Sequence, residues 1–138
     1  MTAPVTVSEV FRRAAEILSA NGHWQGDFCP DPLDRETHTP HYLRPLSIVA
    51  ALRCAVSGDP HTYPPLAGKA IAALAVRIGD SPAHGDAFSL ELHVDEWGDT
   101  PGRSTDEAVA LLLAAAVPVG RPVLVPSGVV LGREVMAA

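Results

Sequence analysis

Apolar residues recur at the spacing of an α-helix in four stretches of the chain. The first stretch follows Thr6, which forms a predicted capping box with Glu9, and it stops at Gly22. Its apolar residues lie three or four positions apart: Val7, Val10, Phe11, Ala14, Ile17 and Leu18. This spacing predicts an amphipathic first helix that buries one side and leaves its charged side in solvent.

The other three stretches predict helices of different character. Residues 45–58 are apolar on nearly all sides, so they should form the central and most buried helix. Arg53 lies within this stretch, and a cation in such a helix must lie at an edge or be paired. A third helix is predicted over residues 66–78, and a fourth begins after Ser104 and ends at Pro118.

Two further stretches favour β-structure. Alternating apolar and polar residues predict a short strand at about 88–94, and β-branched runs on either side of Pro126-Ser127-Gly128 predict a C-terminal β-hairpin at about 122–132. We therefore expect one globular domain over residues 1–138, a mainly α, compact four-helix domain with a short strand, extended by the hairpin over 119–138. Because two strands alone are marginally stable, the apolar hairpin should pair with the strand or dock on a partner chain, which favours a homodimer.

Length, charge and cysteine count narrow the class of protein. A chain of 138 residues suits one domain, and a net charge of −6 with scattered basic residues disfavours nucleic-acid binding. The chain shows no apolar run long enough to cross a bilayer, no signal-peptide pattern and no cysteine framework for disulfides. We expect a soluble, cytoplasmic protein that does not contact the membrane and carries no cofactor.

The most informative local motif spans residues 97–107. Thr100-Pro101-Gly102-Arg103 has the chemistry of a type II turn, with proline at the second position and glycine at the third. Ser104 and Glu107 then form a predicted capping box at the start of the last helix. The motif therefore predicts a rigid loop that runs into a helix N-terminus, where side chains are aimed and anions can be held.

Polar and aromatic residues around this motif form a candidate pocket between the loop at residues 22–45 and the turn at residues 97–103. The candidate residues are His23, Trp24, Gln25, His93, Asp95, Trp97, Asp99 and Arg103. Carboxylates beside a histidine can perform acid–base work, and on a strand His93 and Asp95 would share one face. Each residue also has a structural interpretation, because carboxylates cap turns, complement helix dipoles and pair with arginine.

Histidines also cluster in the loops that flank the second helix. Imidazole and thiolate are the groups that Zn²⁺ prefers, and His38, His41 and Cys29 carry them. The spacing matches no standard zinc motif, and the chain has no Cys-x-x-Cys pair. We therefore expect no bound metal and keep these three residues as secondary candidates.

Three segments resemble a small family of domains of unknown function found in actinobacteria and phages. They are Gly22-His23-Trp24-Gln25-Gly26, the helix at residues 46–55, and the most specific one, Glu96-Trp97-Gly98-Asp99-Thr100-Pro101-Gly102-Arg103-Ser104. They are similar to a Gly-Trp-Cys-Gln-Gly segment, a Leu-Cys-Ala-Leu-Gly-Ala helix and a Trp-Asn-Asp-x-Pro-Gly-Arg-Thr turn.

The resemblance covers roughly residues 7–116 and implies the helical layout without implying an activity. The chain departs from the family pattern at three positions. Trp24 and Ser47 stand where the pattern has cysteines, and Gly98 replaces asparagine. A thiol or metal role of those family cysteines therefore does not carry over to this chain.

These observations leave three functional hypotheses. The first is a non-enzymatic accessory or regulatory domain that binds a protein partner and self-associates, since the hairpin is apolar and no standard catalytic motif is present. The alternative is a small enzyme or small-molecule-binding protein of a biosynthetic pathway, with its pocket between the 22–45 loop and the Trp97–Arg103 turn. The third is a structural zinc site in the histidine-rich loop.

Overall fold

The computed structural model of the chain describes residues 4–26, 40–79 and 86–117. Within these residues five α-helices follow one another. They are α1 (Val7–Asn21), α2 (Ile48–Ser57), α3 (Pro65–Ile78), α4 (Ala87–Gly98) and α5 (Thr105–Ala115), with a short 3-10 helix at His41–Leu43 before α2. Helix α1 packs against α5, α2 and α3, and α4 packs against α3 and α2. None of the helices in the described segments is long and apolar enough to span a bilayer.

Helix α2 lies at the centre of the core, which confirms the prediction from its uniform apolar composition. Every residue from Ile48 to Ala55 is buried. The sequence suggested a helix start at Pro45, but α2 begins at Ile48. Ser47 acts as its N-cap, and the Ser47 hydroxyl accepts from the backbone N–H of Ala50 at 3.1 Å. It ends as predicted at Gly58, which adopts the left-handed conformation with φ of 81°.

Helix α1 also follows its sequence pattern. The capping box is present, since the Glu9 N–H donates to Thr6 Oγ1 at 3.1 Å and the Thr6 N–H donates to Glu9 Oε1 at 3.0 Å. The predicted apolar face is buried from Val10 to Leu18 against the core. The helix therefore forms one wall of the domain.

Arg53 is buried within α2 and paired, which is one of the two possibilities that its position allowed. Its side chain is 1% exposed, and its guanidinium binds the Glu91 carboxylate of α4. The same guanidinium lies 4.4 Å from the centroid of the Tyr63 ring and donates to the Pro60 carbonyl at 3.4 Å. These contacts tie α4 and the loop before α3 to the central helix.

The predicted fold class, a mainly α domain of four helices with a short strand and a C-terminal β-hairpin, was wrong in its helix count and its strand. Residues 88–94 lie in helix α4, and the described part of the chain contains five helices instead of four and no strand. The alternation arises from two faces of one helix, because Leu90 and Val94 pack toward the core while Phe88 and Leu92 are 70% and 47% exposed. The predicted hairpin at about 122–132 is not seen and lies outside the described residues.

Candidate functional site

The segment that follows α1 is held against the start of α2. The Leu46 N–H donates to the Gly22 carbonyl at 3.2 Å, and the Trp24 N–H donates to the Leu46 carbonyl at 2.9 Å. These bonds form a short parallel bridge between His23 and Leu46. Residues 22–26, called the α1 extension below, are therefore fixed in place although they are not helical.

The turn between α4 and α5 has the predicted geometry. The Arg103 N–H donates to the Thr100 carbonyl at 3.0 Å, and Gly102 has a φ of 84°, as a type II turn requires. The capping box is also present, with the Glu107 N–H donating to Ser104 Oγ at 3.1 Å and the Ser104 N–H donating to Glu107 Oε1 at 2.8 Å. Residues 98–105, called the α4–α5 turn below, thus form a rigid entry into α5.

Gln25 joins the α1 extension to the α4–α5 turn. Its side-chain Nε2 donates to the Gly98 carbonyl at 2.9 Å and to the Thr100 carbonyl at 3.0 Å. Close by, the Gly26 N–H donates to Asp99 Oδ1 at 2.9 Å. These bonds connect residues 73 to 75 positions apart in sequence, and they engage polar groups that were predicted to face a ligand.

His23 also contacts the α4–α5 turn, through both its backbone and its ring. Its backbone N–H donates to Thr105 Oγ1 at 3.0 Å, and its ring lies so near Gly98 that a Cβ at residue 98 would be 2.9 Å from Nε2. Burial lowers the pKa of His23, Asp99 acts to raise it, and Arg103 lowers it further. The imidazole is therefore neutral near pH 7 and serves as a packing group.

Arg103 of the α4–α5 turn packs against Trp97, which lies near the end of α4. Its guanidinium carbon lies 3.7 Å from the centroid of the Trp97 ring, and its Nε donates to the Trp97 carbonyl at 3.1 Å. Its NH1 also lies 3.6 Å from a Glu107 carboxylate oxygen. A planar cation engaged on its face and its edge is well suited to fixing the turn.

Asp95 caps the start of the central helix from α4. Its Oδ1 accepts from the Val49 N–H at 3.1 Å, and its carboxyl also hydrogen-bonds to Ser47. Burial raises the pKa of Asp95 to about 6, although both hydrogen bonds act to lower it. The carboxyl can therefore exchange a proton near neutral pH, while its oxygen is engaged with the backbone of α2.

His93 does not join this group. Residues two positions apart lie on different sides of a helix, so the expectation that His93 and Asp95 share one face was wrong. The His93 Nε2 lies instead 2.8 Å from the Gly79 carbonyl at the end of α3. The other predicted pocket residues lie at or beside the junction of the α1 extension and the α4–α5 turn, with Trp24 37% exposed there.

Sequence reasoning missed two residues that build this junction. Gly98 leaves room for the His23 ring, which lies where a Cβ at residue 98 would make a close contact, and Thr105 supplies the hydroxyl that binds the His23 backbone. No local sequence pattern indicates either contact, because both are made with His23, which lies more than 70 residues away along the chain.

The secondary metal candidates are only partly described. His41 lies in the 3-10 helix, and its ring centroid is 5.1 Å from that of His61 in an edge-on arrangement. His38 and Cys29 lie outside the described residues. Within those residues, no group of three or more His, Cys, Asp or Glu side chains could hold a metal ion.

A groove of about 420 Å³ runs between α1 and α5, away from the predicted pocket residues. It is lined by Arg12, Ala15, Glu16, Ser19, Ala20, Val109 and Leu113. Val109 and Leu113 are four residues apart and share one side of α5, and Val117 follows shortly after the helix ends at Ala115; we call these three residues the α5 ridge. Leu113 is 48% exposed and Val117 is 60% exposed, so the ridge presents apolar surface to solvent.

Comparison with known proteins gives a family and no activity. Residues 2–117 match the sequence model of a protein family described as a family of unknown function, DUF6197. No curated protein and no solved structure matches the chain. The match agrees with the resemblance to a domain of unknown function and covers all five helices.

Proposed function

The chain belongs to DUF6197, a family of unknown function, and we propose that it is a non-enzymatic accessory or regulatory domain that binds a protein partner and self-associates. The observation that carries this proposal is the groove between α1 and α5, whose wall includes Val109 and the 48% exposed Leu113 of the α5 ridge. Exposed apolar residues scattered singly are ordinary, whereas exposed apolar residues grouped at a groove are typical of an interaction surface.

The geometry of the α4–α5 turn supports binding over catalysis. An enzyme needs polar groups that face the reacting molecule. Here the side chains of Gln25, Asp99 and Arg103 form hydrogen bonds within the protein itself. The ring of His23 packs against Gly98. The alternative, a small enzyme or small-molecule-binding protein with a pocket at this junction, is therefore the less supported function.

Sedimentation velocity of the full chain tests self-association directly. The monomer has a mass of 14.5 kDa, so a dimer has twice that mass. The protein should be studied from about 10 to about 300 µM, a range in which micromolar dimers form and dissociate. We expect the weight-average mass to rise from the monomer toward the dimer over this range. A monomer mass at every concentration would refute self-association.

A further inference from the structure

Val109 and Leu113 of the α5 ridge form one wall of the groove and α1 forms the other, and such a face can be complementary to itself. In a two-fold dimer the same patch on both subunits meets, so each ridge must find a depression on the other copy. We infer that the α1–α5 face packs against the same face of a second copy of this chain, with Leu113 of each copy entering the groove of the other. This inference rests on the proposed self-association and names its surface.

Charge on the groove rim supports a second copy as the occupant. Arg12 and Glu16 are one turn apart on α1, both line the groove, and they carry opposite charges. When two α1 helices run antiparallel across a two-fold axis, Arg12 of one copy lies opposite Glu16 of the other, and both attractive pairs form at once. An unrelated apolar ligand would gain nothing from this arrangement.

The present contacts of these two side chains do not compete strongly with such pairs. Arg12 NH1 donates to Ser8 Oγ at 2.9 Å in an exposed position, and Glu16 lies 3.9 Å from the Arg13 guanidinium with 70% of its side chain exposed. Exposed ion pairs of this kind contribute little. The two charged groups can therefore turn toward a second copy at small cost.

The size of the face predicts a weak dimer. Helices of 15 and 11 residues are about 22 and 16 Å long, and two helices side by side cover roughly 400 Å². This is about half of the surface that each partner contributes to a standard interface. Ala15 and Ala20 compensate in part, since small side chains on α1 let a second helix approach closely. We expect dissociation constants in the micromolar range.

Charge reversal on the full chain gives the decisive experiment. In Arg12→Glu, two glutamates face each other across the axis at each site, and in Glu16→Arg two arginines do. Sedimentation velocity should therefore show at least about tenfold weaker association for each single variant. The double variant Arg12→Glu/Glu16→Arg should recover dimerisation, and mixing the two single variants should produce a heterodimer. Arg77→Glu, an exposed charge reversal on α3, is the matched control and should dimerise like the parent.

A second pair of variants tests the apolar contact. Leu113→Asp and Leu92→Asp replace the same residue type at the same exposure, 48% and 47%, on different helices. Leu113→Asp should weaken dimerisation at least about tenfold, and Leu92→Asp should leave it unchanged. Thermal melting of each variant verifies that it is folded, which we expect because all substituted side chains are partly or fully exposed.

The oligomeric state of the parent chain tests self-association, and the variants test which surface forms the dimer. A parent chain that is monomeric at every concentration overturns both. A dimer that survives Leu113→Asp, or that neither the double variant nor the mixture restores, keeps the proposed self-association but overturns this surface.

Discussion

Replacement of Asp95 by asparagine should stabilise the protein at neutral pH and leave it nearly unchanged near pH 4. In the folded state burial raises the pKa of Asp95 from an ordinary 3.8 to about 6. Between these two values the unfolded chain has lost the proton that the folded carboxyl still holds, so the free energy of unfolding falls as pH rises. Each tenfold change in a protonation equilibrium is worth about 1.4 kcal/mol, which gives a loss of up to about 3 kcal/mol above pH 6.

Asparagine cannot ionise, yet its side-chain oxygen can still accept from the Val49 N–H. The difference in free energy of unfolding between Asp95→Asn and the parent should therefore grow by up to about 3 kcal/mol between pH 4 and pH 7. Urea denaturation followed by circular dichroism at several pH values measures this difference, and contributions from groups common to both proteins cancel.

The control for this experiment is a carboxylate with the opposite behaviour. Asp86 caps α4, and hydrogen bonds from Ser89 lower the pKa of Asp86, so its stabilising effect is present at neutral pH and lost as pH falls. Asp86→Asn should therefore be less stable than the parent at pH 7 and approach it below pH 4. If Asp95→Asn is less stable than the parent at pH 7, or if its difference does not depend on pH, the buried carboxylate is a favourable cap and our reasoning fails.

Three substitutions test individual contacts by chemical or thermal denaturation. Gln25→Ala removes both side-chain bonds to the α4–α5 turn and should cost about 1 to 2 kcal/mol, with a loss below about 0.5 kcal/mol contradicting their role. Arg103→Lys should cost about 1 kcal/mol and change the fluorescence of Trp97, because lysine cannot stack on the ring and bond its carbonyl together. Arg53→Ala should cost about 3 to 5 kcal/mol, since it leaves the carboxylate of Glu91 without its cation, and a neutral effect would show that this pair does not hold α4.

Much of the helical layout could be predicted because caps and apolar faces agree locally. Thr6 with Glu9 and Ser104 with Glu107 mark helix starts, and the uniform burial of α2 follows from its composition. Helix α4 was missed because Phe88 and Leu92 are apolar yet exposed, which imitates the alternation of a strand. Asp86 was the available signal, as an N-cap three residues before its partner Ser89.

The candidate site could be predicted only in its local parts. The turn and its capping box follow from Pro101, Gly102 and Ser104 alone. How Gln25 and Asp99 are satisfied depends on partners more than 70 positions away, and no local spacing encodes such a pairing. The same limit hid the groove, because the charged side of α1 gives no sign in sequence of the helix that packs next to it.

One hydrogen bond between the two ends of the helical domain has a consequence for engineering. Ser8 Oγ on the first turn of α1 donates to the Ala116 carbonyl just after α5. Because the ends of the helical domain are in contact, a short glycine linker could join them, and new termini could be opened between α3 and α4. Such a circular permutant of residues 4–117 should fold with the same core and would carry fused domains at a different corner of the molecule.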